Sequence, residues 1–220
     1  MTELISMMVE DAMTVPNAIE LFEQAKHLPV AHWGFKDQGV DWKYLEKLNE
    51  AFKKEGKTTY LEMMQTEAEG ALKSAQFAVD CGVDVVIGMY TPEVEALLAA
   101  NGMKYISFTG DLDIRVGTLS GSVQDVVDDS LKKTARPDVY SVIVAMHLFQ
   151  GDANALLDAL LENITKPLVI SAGINSKERV VELVQAGVPY VVVGTAFMKK
   201  SFVPDGSFVE NIEKVLEWMQ

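Results

Sequence analysis

Short apolar runs alternate with amphipathic stretches along this chain, and the alternation predicts its elements. Residues 4–9 form an apolar run ahead of Glu10-Asp11 and predict a first strand. Thr14 is a candidate helix cap with Pro16 in the first turn, and Ile19, Leu21, Phe22 and Ala25 mark its buried stripe. Residues 29–35 predict the second strand, ending at Lys36-Asp37. Asp41 caps a helix through residue 55 with Leu45, Leu48 and Phe52 on one face, and residues 58–64 predict the third strand.

The rhythm continues. Thr66 and Glu69 have capping-box spacing for a helix over 67–81, followed by a strand at 83–89. Thr91-Pro92 opens the next helix, Asn101-Gly102 ends it, and residues 104–108 predict the fifth strand. Residues 110–121 show no clear period. Residues 123–133 then read as helix and 138–146 as the sixth strand. Asp152 caps a helix to residue 163, and Ser207 with Glu210 forms a capping box for the last one.

Two apolar runs complete the set. Pro167 to Ile174 and Val188 to Ala196 each end in glycine and small residues, with an amphipathic helix over 175–187 between them. Eight strands separated by helices must run parallel, and eight such units close into a (β/α)₈ TIM barrel. The reading is one domain over residues 1–220. A doubly wound open sheet is the alternative, but no Gly-x-Gly-x-x-Gly follows the first strand.

The last two strand-ending turns carry the first functional signal. In such barrels, the loops after strands 7 and 8 are frequent phosphate sites. Glycine lets backbone N–H groups approach an anion closely. Ser171, Ala172 and Gly173, together with Gly194, Thr195 and Ala196, are therefore the candidate phosphate-binding residues. The alternative is that both glycines serve only tight turns.

Ser171-Ala-Gly-Ile174, followed by Gly187-Val-Pro-Tyr-Val-Val-Val-Gly-Thr-Ala-Phe197, resembles the phosphate-gripping half of the ribulose-phosphate-binding barrels. That superfamily includes phosphoribosylanthranilate isomerase, indole-glycerol-phosphate synthase, thiamin-phosphate synthase and the keto-gulonate-phosphate decarboxylases. The resemblance covers about the last quarter of the chain, and it implies a fold and a phosphorylated small-molecule substrate. A fainter resemblance is to short chains labelled 4-hydroxythreonine-4-phosphate dehydrogenase, which implies an oxidoreductase. That chemistry needs a nicotinamide site and a divalent metal held by several histidines and aspartates. Three scattered histidines and no dinucleotide fingerprint do not supply them.

Composition narrows the field. A chain of 220 residues, 49 % hydrophobic and 23 % charged, has the make-up of a soluble globular domain. A net charge of −13 argues against nucleic-acid and anionic-membrane partners, which require clustered Lys and Arg. An anionic substrate then needs local help from backbone N–H groups and a few lysines. One cysteine, Cys81, excludes an internal disulfide and suits a reducing compartment. With no apolar span of membrane length and no signal-peptide pattern, the expectation is a cytoplasmic protein.

Catalysis in this fold sits at the carboxyl ends of the strands, and period-2 alternation decides which side chains face inward. His32, Gly34 and Lys36 share one face of the second strand, and Trp33 and Phe35 the face toward the helices. The third strand offers Tyr60 and Glu62. Ser141, Ile143, Ala145 and His147 share a line on the sixth, and Glu10-Asp11 ends the first. Lys36, Glu62, His147 and Asp11 are the catalytic candidates. Lysine can act as general acid or Schiff-base nucleophile, Glu62 as general base, and His147 as proton shuttle.

Each has a bland alternative. Lys36 with Glu62 is equally readable as a structural ion pair, and His32 and His27 as a core histidine and a helix-end cation. Arg115, in the segment without period, is a candidate phosphate or carboxylate partner or else a solvated loop arginine. Lys199 and Lys200 follow the second glycine turn and either add charge behind a phosphate or end the strand. No cofactor is expected, although strand-end carboxylates can hold Mg²⁺ with water. Barrels of this size often pair through helix faces, so a homodimer is compatible with the chain. The expected activity is a lyase or isomerase of a small phosphorylated metabolite. The alternatives are the dehydrogenase and a barrel that binds such a metabolite without turnover.

Overall fold

The computed structural model describes all residues, Met1–Gln220. The elements in chain order are β1 (Glu3–Met7), β2 (Val9–Glu10), β3 (Met13–Thr14), α1 (Ala18–Ala25), β4 (His32–Lys36), α2 (Trp42–Lys54) and β5 (Thr58–Glu62). Then come α3 (Ala68–Cys81), β6 (Val85–Gly88), α4 (Pro92–Ala100), β7 (Lys104–Phe108), β8 (Asp111–Asp113), β9 (Thr118–Ser120) and α5 (Val123–Thr134). The chain ends with β10 (Val139–Val144), a 3₁₀ turn (Met146–Leu148), α6 (Ala153–Asn163), β11 (Val169–Ile170), α7 (Lys177–Gln185), β12 (Tyr190–Val193), α8 (Thr195–Met198) and α9 (Phe208–Trp218).

The closed barrel has the strand order β1-β12-β11-β10-β7-β6-β5-β4, as expected for a (β/α)₈ TIM barrel. Two compact units make up the chain: Met1–Glu62 with Ile174–Gln220, and Met63–Gly173.

In the first unit, β1 pairs in parallel with β12 on one side and β4 on the other, and β4 pairs with β5. Trp33 and Phe35 leave β4 toward the helices, as alternation predicts. Phe22 of α1 meets Trp33 edge-on at 5.0 Å and Phe52 of α2 at 4.6 Å, all three fully buried. Phe52→Ala would remove the centre of this cluster, a change that costs about 3–5 kcal/mol in a packed core. Helix α2 begins where Asp41 accepts from the Tyr44 N–H, and α9 begins with the Ser207–Glu210 box.

Helix α1 starts later than Thr14. Asn17 stands at its N-cap, because the preceding residues form an antiparallel hairpin, β2–β3. Its two-residue turn, Asp11-Ala12, has φ of 44° and 69°, the positive pair that a type I′ turn requires. Asn-Gly would have announced such a turn. Asp-Ala conceals it.

In the second unit β6 pairs with β7, β7 with β10 and β10 with β11, all in parallel. The segment without period contains a second hairpin, β8–β9, whose strands of three residues are too short to show alternation. Helix α3 lacks the expected Thr66 box: Glu67 holds the N-cap position and makes no side-chain cap. A box does open α5, between Ser122 and Asp125. Strand β10 stops at Val144, so the alternation expected to run on to His147 ends there.

Candidate functional site

The first unit brings Lys36 and Glu62 together. Both end their strands, in direct register across the β4–β5 ladder. Lys36 Nζ lies 3.0 Å from Glu62 Oε1, and the two side chains are only 13 % and 10 % exposed. A charge pair this far out of water is bound more tightly than one on the surface, and it keeps a donor and an acceptor side by side. Asp37, the next residue, is buried as well, and its N–H donates to the Glu62 carbonyl. Sequence reasoning placed Asp37 at the strand end without weighing it, since nothing local marks it as buried.

Thr14 was expected to cap a helix. Instead its hydroxyl sits on the backbone of Lys36, donating to the carbonyl at 2.8 Å and accepting from the N–H at 2.8 Å. Asp11 is at the tip of the same hairpin rather than at a strand end. Its N–H donates to Thr195 Oγ1 at 3.2 Å, and its carboxylate takes Lys199 Nζ at 2.6 Å. That hydrogen bond raises the Lys199 pKa above the usual lysine value. Asp11 is therefore an exposed tether.

The second glycine turn opens the short helix α8. Gly194 occupies its N-cap with φ −139°, which any residue can adopt. A Cβ there would meet Val9 Cγ2 at 2.5 Å and the Met7 carbonyl at 3.0 Å, so close approach to β1 is what demands glycine. Thr195 is partly exposed, and Ala196 is buried.

The second unit holds the remaining candidates. Ser171 is buried, and its N–H donates to the Val144 carbonyl. Ala172 and Gly173 both have φ of 64°, a left-handed pair that ends the strand abruptly. His147 lies in the 3₁₀ turn after β10, half-buried. Arg115 sits in the β8–β9 connection, 77 % exposed and 3.7 Å from Asp113, in the position of a solvated loop residue.

A polar network also closes the end of β7. Asp129 accepts from Thr109, from the Gly110 N–H and from Lys133, and Lys133 donates in addition to the Phe108 carbonyl. Burial pushes the Asp129 pKa up, but Lys133 and the Gly110 N–H outweigh it and hold the carboxyl below its usual value. No group of three or more His, Cys, Asp or Glu side chains is arranged to hold a metal ion. No helix is long and apolar enough to cross a membrane.

The chain matches no protein-family profile and no curated protein sequence. Solved structures with the same fold are numerous. Tryptophan synthase from M. tuberculosis is 12 % identical, with a TM-score of 0.71 over 99 % of this chain and 92 % of that one. Orotidine 5'-phosphate decarboxylase from Pyrococcus horikoshii OT3 is 11 % identical, with a TM-score of 0.68 over 98 % of each chain. (S)-3-O-geranylgeranylglyceryl phosphate synthase from Thermoplasma acidophilum, in complex with substrate sn-glycerol-1-phosphate, is 13 % identical, with a TM-score of 0.65 over 99 % of this chain and 92 % of that one. At these identities the likeness establishes the fold.

Proposed function

We propose that this chain is an enzyme of a small phosphorylated metabolite, a lyase or isomerase whose acid/base pair is Lys36 and Glu62. The observation that carries the reading is the Lys36–Glu62 pair itself, nearly buried at the carboxyl ends of adjacent strands. Catalytic side chains of (β/α)₈ enzymes stand at that end of the strands. Glu62 takes a proton from a carbon next to a carbonyl, and the Lys36 ammonium stabilises the negative charge that develops on the carbonyl oxygen. Where the first carbon carries a hydroxyl, return of that proton to the former carbonyl carbon, with the hydroxyl proton passing to the former carbonyl oxygen, moves the carbonyl by one position and completes an isomerisation with no other reactant.

The phosphate is assigned to the backbone N–H groups of the Gly194–Ala196 turn, in the same unit as Lys36 and Glu62. Structures of the same fold support a phosphorylated small-molecule substrate. One is orotidine 5'-phosphate decarboxylase, and another, the geranylgeranylglyceryl phosphate synthase, holds sn-glycerol-1-phosphate as substrate.

Thermal denaturation with a panel of phosphorylated sugars, amino-sugar phosphates and inorganic phosphate tests the reading. A ligand at a hundred times its dissociation constant stabilises by about 2.7 kcal/mol, a shift of about 5–10 °C in a chain of this size. The shift is expected to vanish in Thr195→Asp, which adds a repelling carboxylate at that turn. Lys36→Ala is expected to bind the same compound and not turn it over. No shift with any phosphate would sink the proposal.

A further inference from the structure

Strand β4 outlasts its neighbour. On the β1 side the parallel ladder runs Ile5↔His32, Ser6↔Trp33, Met7↔Gly34, and the Met8 N–H donates to the Gly34 carbonyl. The chain then turns away into the β2–β3 hairpin, two residues before Lys36 would be paired. In a parallel sheet, the N–H and C=O of one residue point to the same side and bond to two positions of the neighbouring strand. At Lys36 that strand has left.

The hairpin returns one atom to the gap. Thr14 Oγ1 accepts from the Lys36 N–H and donates to the Lys36 carbonyl, at 2.8 Å each. One hydroxyl thus replaces the missing strand. Thr14 is itself held: it is buried, its N–H donates to the Gln38 carbonyl, and Val15 N–H donates to the Met8 carbonyl beneath it. A Cβ on Gly39 would strike the Thr14 carbonyl oxygen at 2.4 Å, so the connection after β4 packs directly against the Thr14 backbone.

We infer that Thr14 is a positioning residue for Lys36. By fixing the Lys36 backbone beyond the end of β1, it sets the direction in which the side chain leaves toward Glu62. The inference rests on the proposed role of Lys36 only for its effect on turnover. The geometric part stands apart from it.

Two substitutions separate the hydroxyl from its shape. Thr14→Val keeps the volume and removes both bonds, whereas Thr14→Ser keeps both. Reductive ¹³C-methylation of the intact protein, with the Lys36 resonance assigned through Lys36→Arg, reads the lysine environment directly. The Lys36 signal is expected to move toward the solvent-exposed position in Thr14→Val and to return in Thr14→Ser. In the turnover assay Thr14→Val is expected to lose about 10–100-fold in kcat with KM changed less than about threefold, since a misplacement near 1 Å is felt in the chemical step. A folded Thr14→Val protein with an unmoved Lys36 signal would overturn the inference. So would a Thr14→Ser protein that behaves as Thr14→Val does. If the wild type turns over no phosphorylated compound, the proposed function fails, and the methyl signal alone decides the role of Thr14.

Discussion

Lys36 and Glu62 face each other across adjacent parallel strands in direct register, 3.0 Å apart and nearly out of water. Neither has enough solvent contact to stand alone cheaply. Lys36→Met is expected to destabilise by about 1–3 kcal/mol, below the full buried-pair penalty because both groups keep some exposure. Adding Glu62→Leu is expected to recover at least half of that loss, since no lone charge remains. Urea denaturation of the two single variants and the double variant checks this. Simple additivity would show that the pair is uncoupled.

At the amino ends of β1 and β4, Glu3 accepts His32 Nε2 at 2.7 Å, and the Tyr60 hydroxyl lies 3.1 Å from Nδ1. The rings of Tyr60 and Tyr190 stand edge-on to the imidazole at 5.6 and 5.5 Å. Conserving structure, not chemistry, is the usual work of that end of a barrel. Tyr60→Phe is expected to cost about 1 kcal/mol of stability and to leave turnover unchanged. A comparison of melting temperature with kcat decides it.

Gly194→Ala is expected to destabilise by about 1–3 kcal/mol through overpacking, because its Cβ would meet Val9 and the Met7 carbonyl. Val9→Ala in the same chain should relieve part of the loss, as the nearest clash is with the Val9 methyl. Equal stability of Gly194→Ala and wild type in denaturant would refute the close approach.

Ala172 holds φ of 64°, where a Cβ is strained. Ala172→Gly is expected to stabilise by about 0.5–1 kcal/mol, the left-handed penalty less the extra freedom of an unfolded glycine. Calorimetry of the two proteins settles the sign.

Glu95 is buried and takes Arg136 and the Tyr90 hydroxyl as partners. The Arg136 guanidinium holds its carboxyl below the usual value. A carboxyl lowered on folding contributes stability that is present above its unfolded pKa and lost as the pH falls through its folded one. The contribution should therefore be whole near neutrality and fade below about pH 4. Arg136→Leu is expected to lower stability near neutrality and to shrink this acid loss, because the folded carboxyl no longer has the charge that depresses it, and unfolding followed from pH 7 down to pH 2 measures it. An unchanged profile would contradict the assignment.

Much of the architecture was legible in the residues alone. Alternation sent Trp33 and Phe35 to the helices and Lys36 and Glu62 the other way, because the side-chain period of a strand follows from its backbone geometry. Asp41, Asp152 and the Ser207–Glu210 pair marked helix starts for an equally local reason: a cap bonds to N–H groups two or three residues on. What escaped is non-local. Asp-Ala carries no turn signal, so the hairpin that makes Thr14 a strand substitute could not be read, and residues 14 and 36 meet only after β1 and β4 have paired. Asp11 meets Lys199, 188 positions away, for the same reason. Periodicity determined which face each element buries. Which hairpin atom fills a gap at a strand end was decided by tertiary packing, since only the assembled ladder reveals the unpaired N–H and C=O that the atom must satisfy.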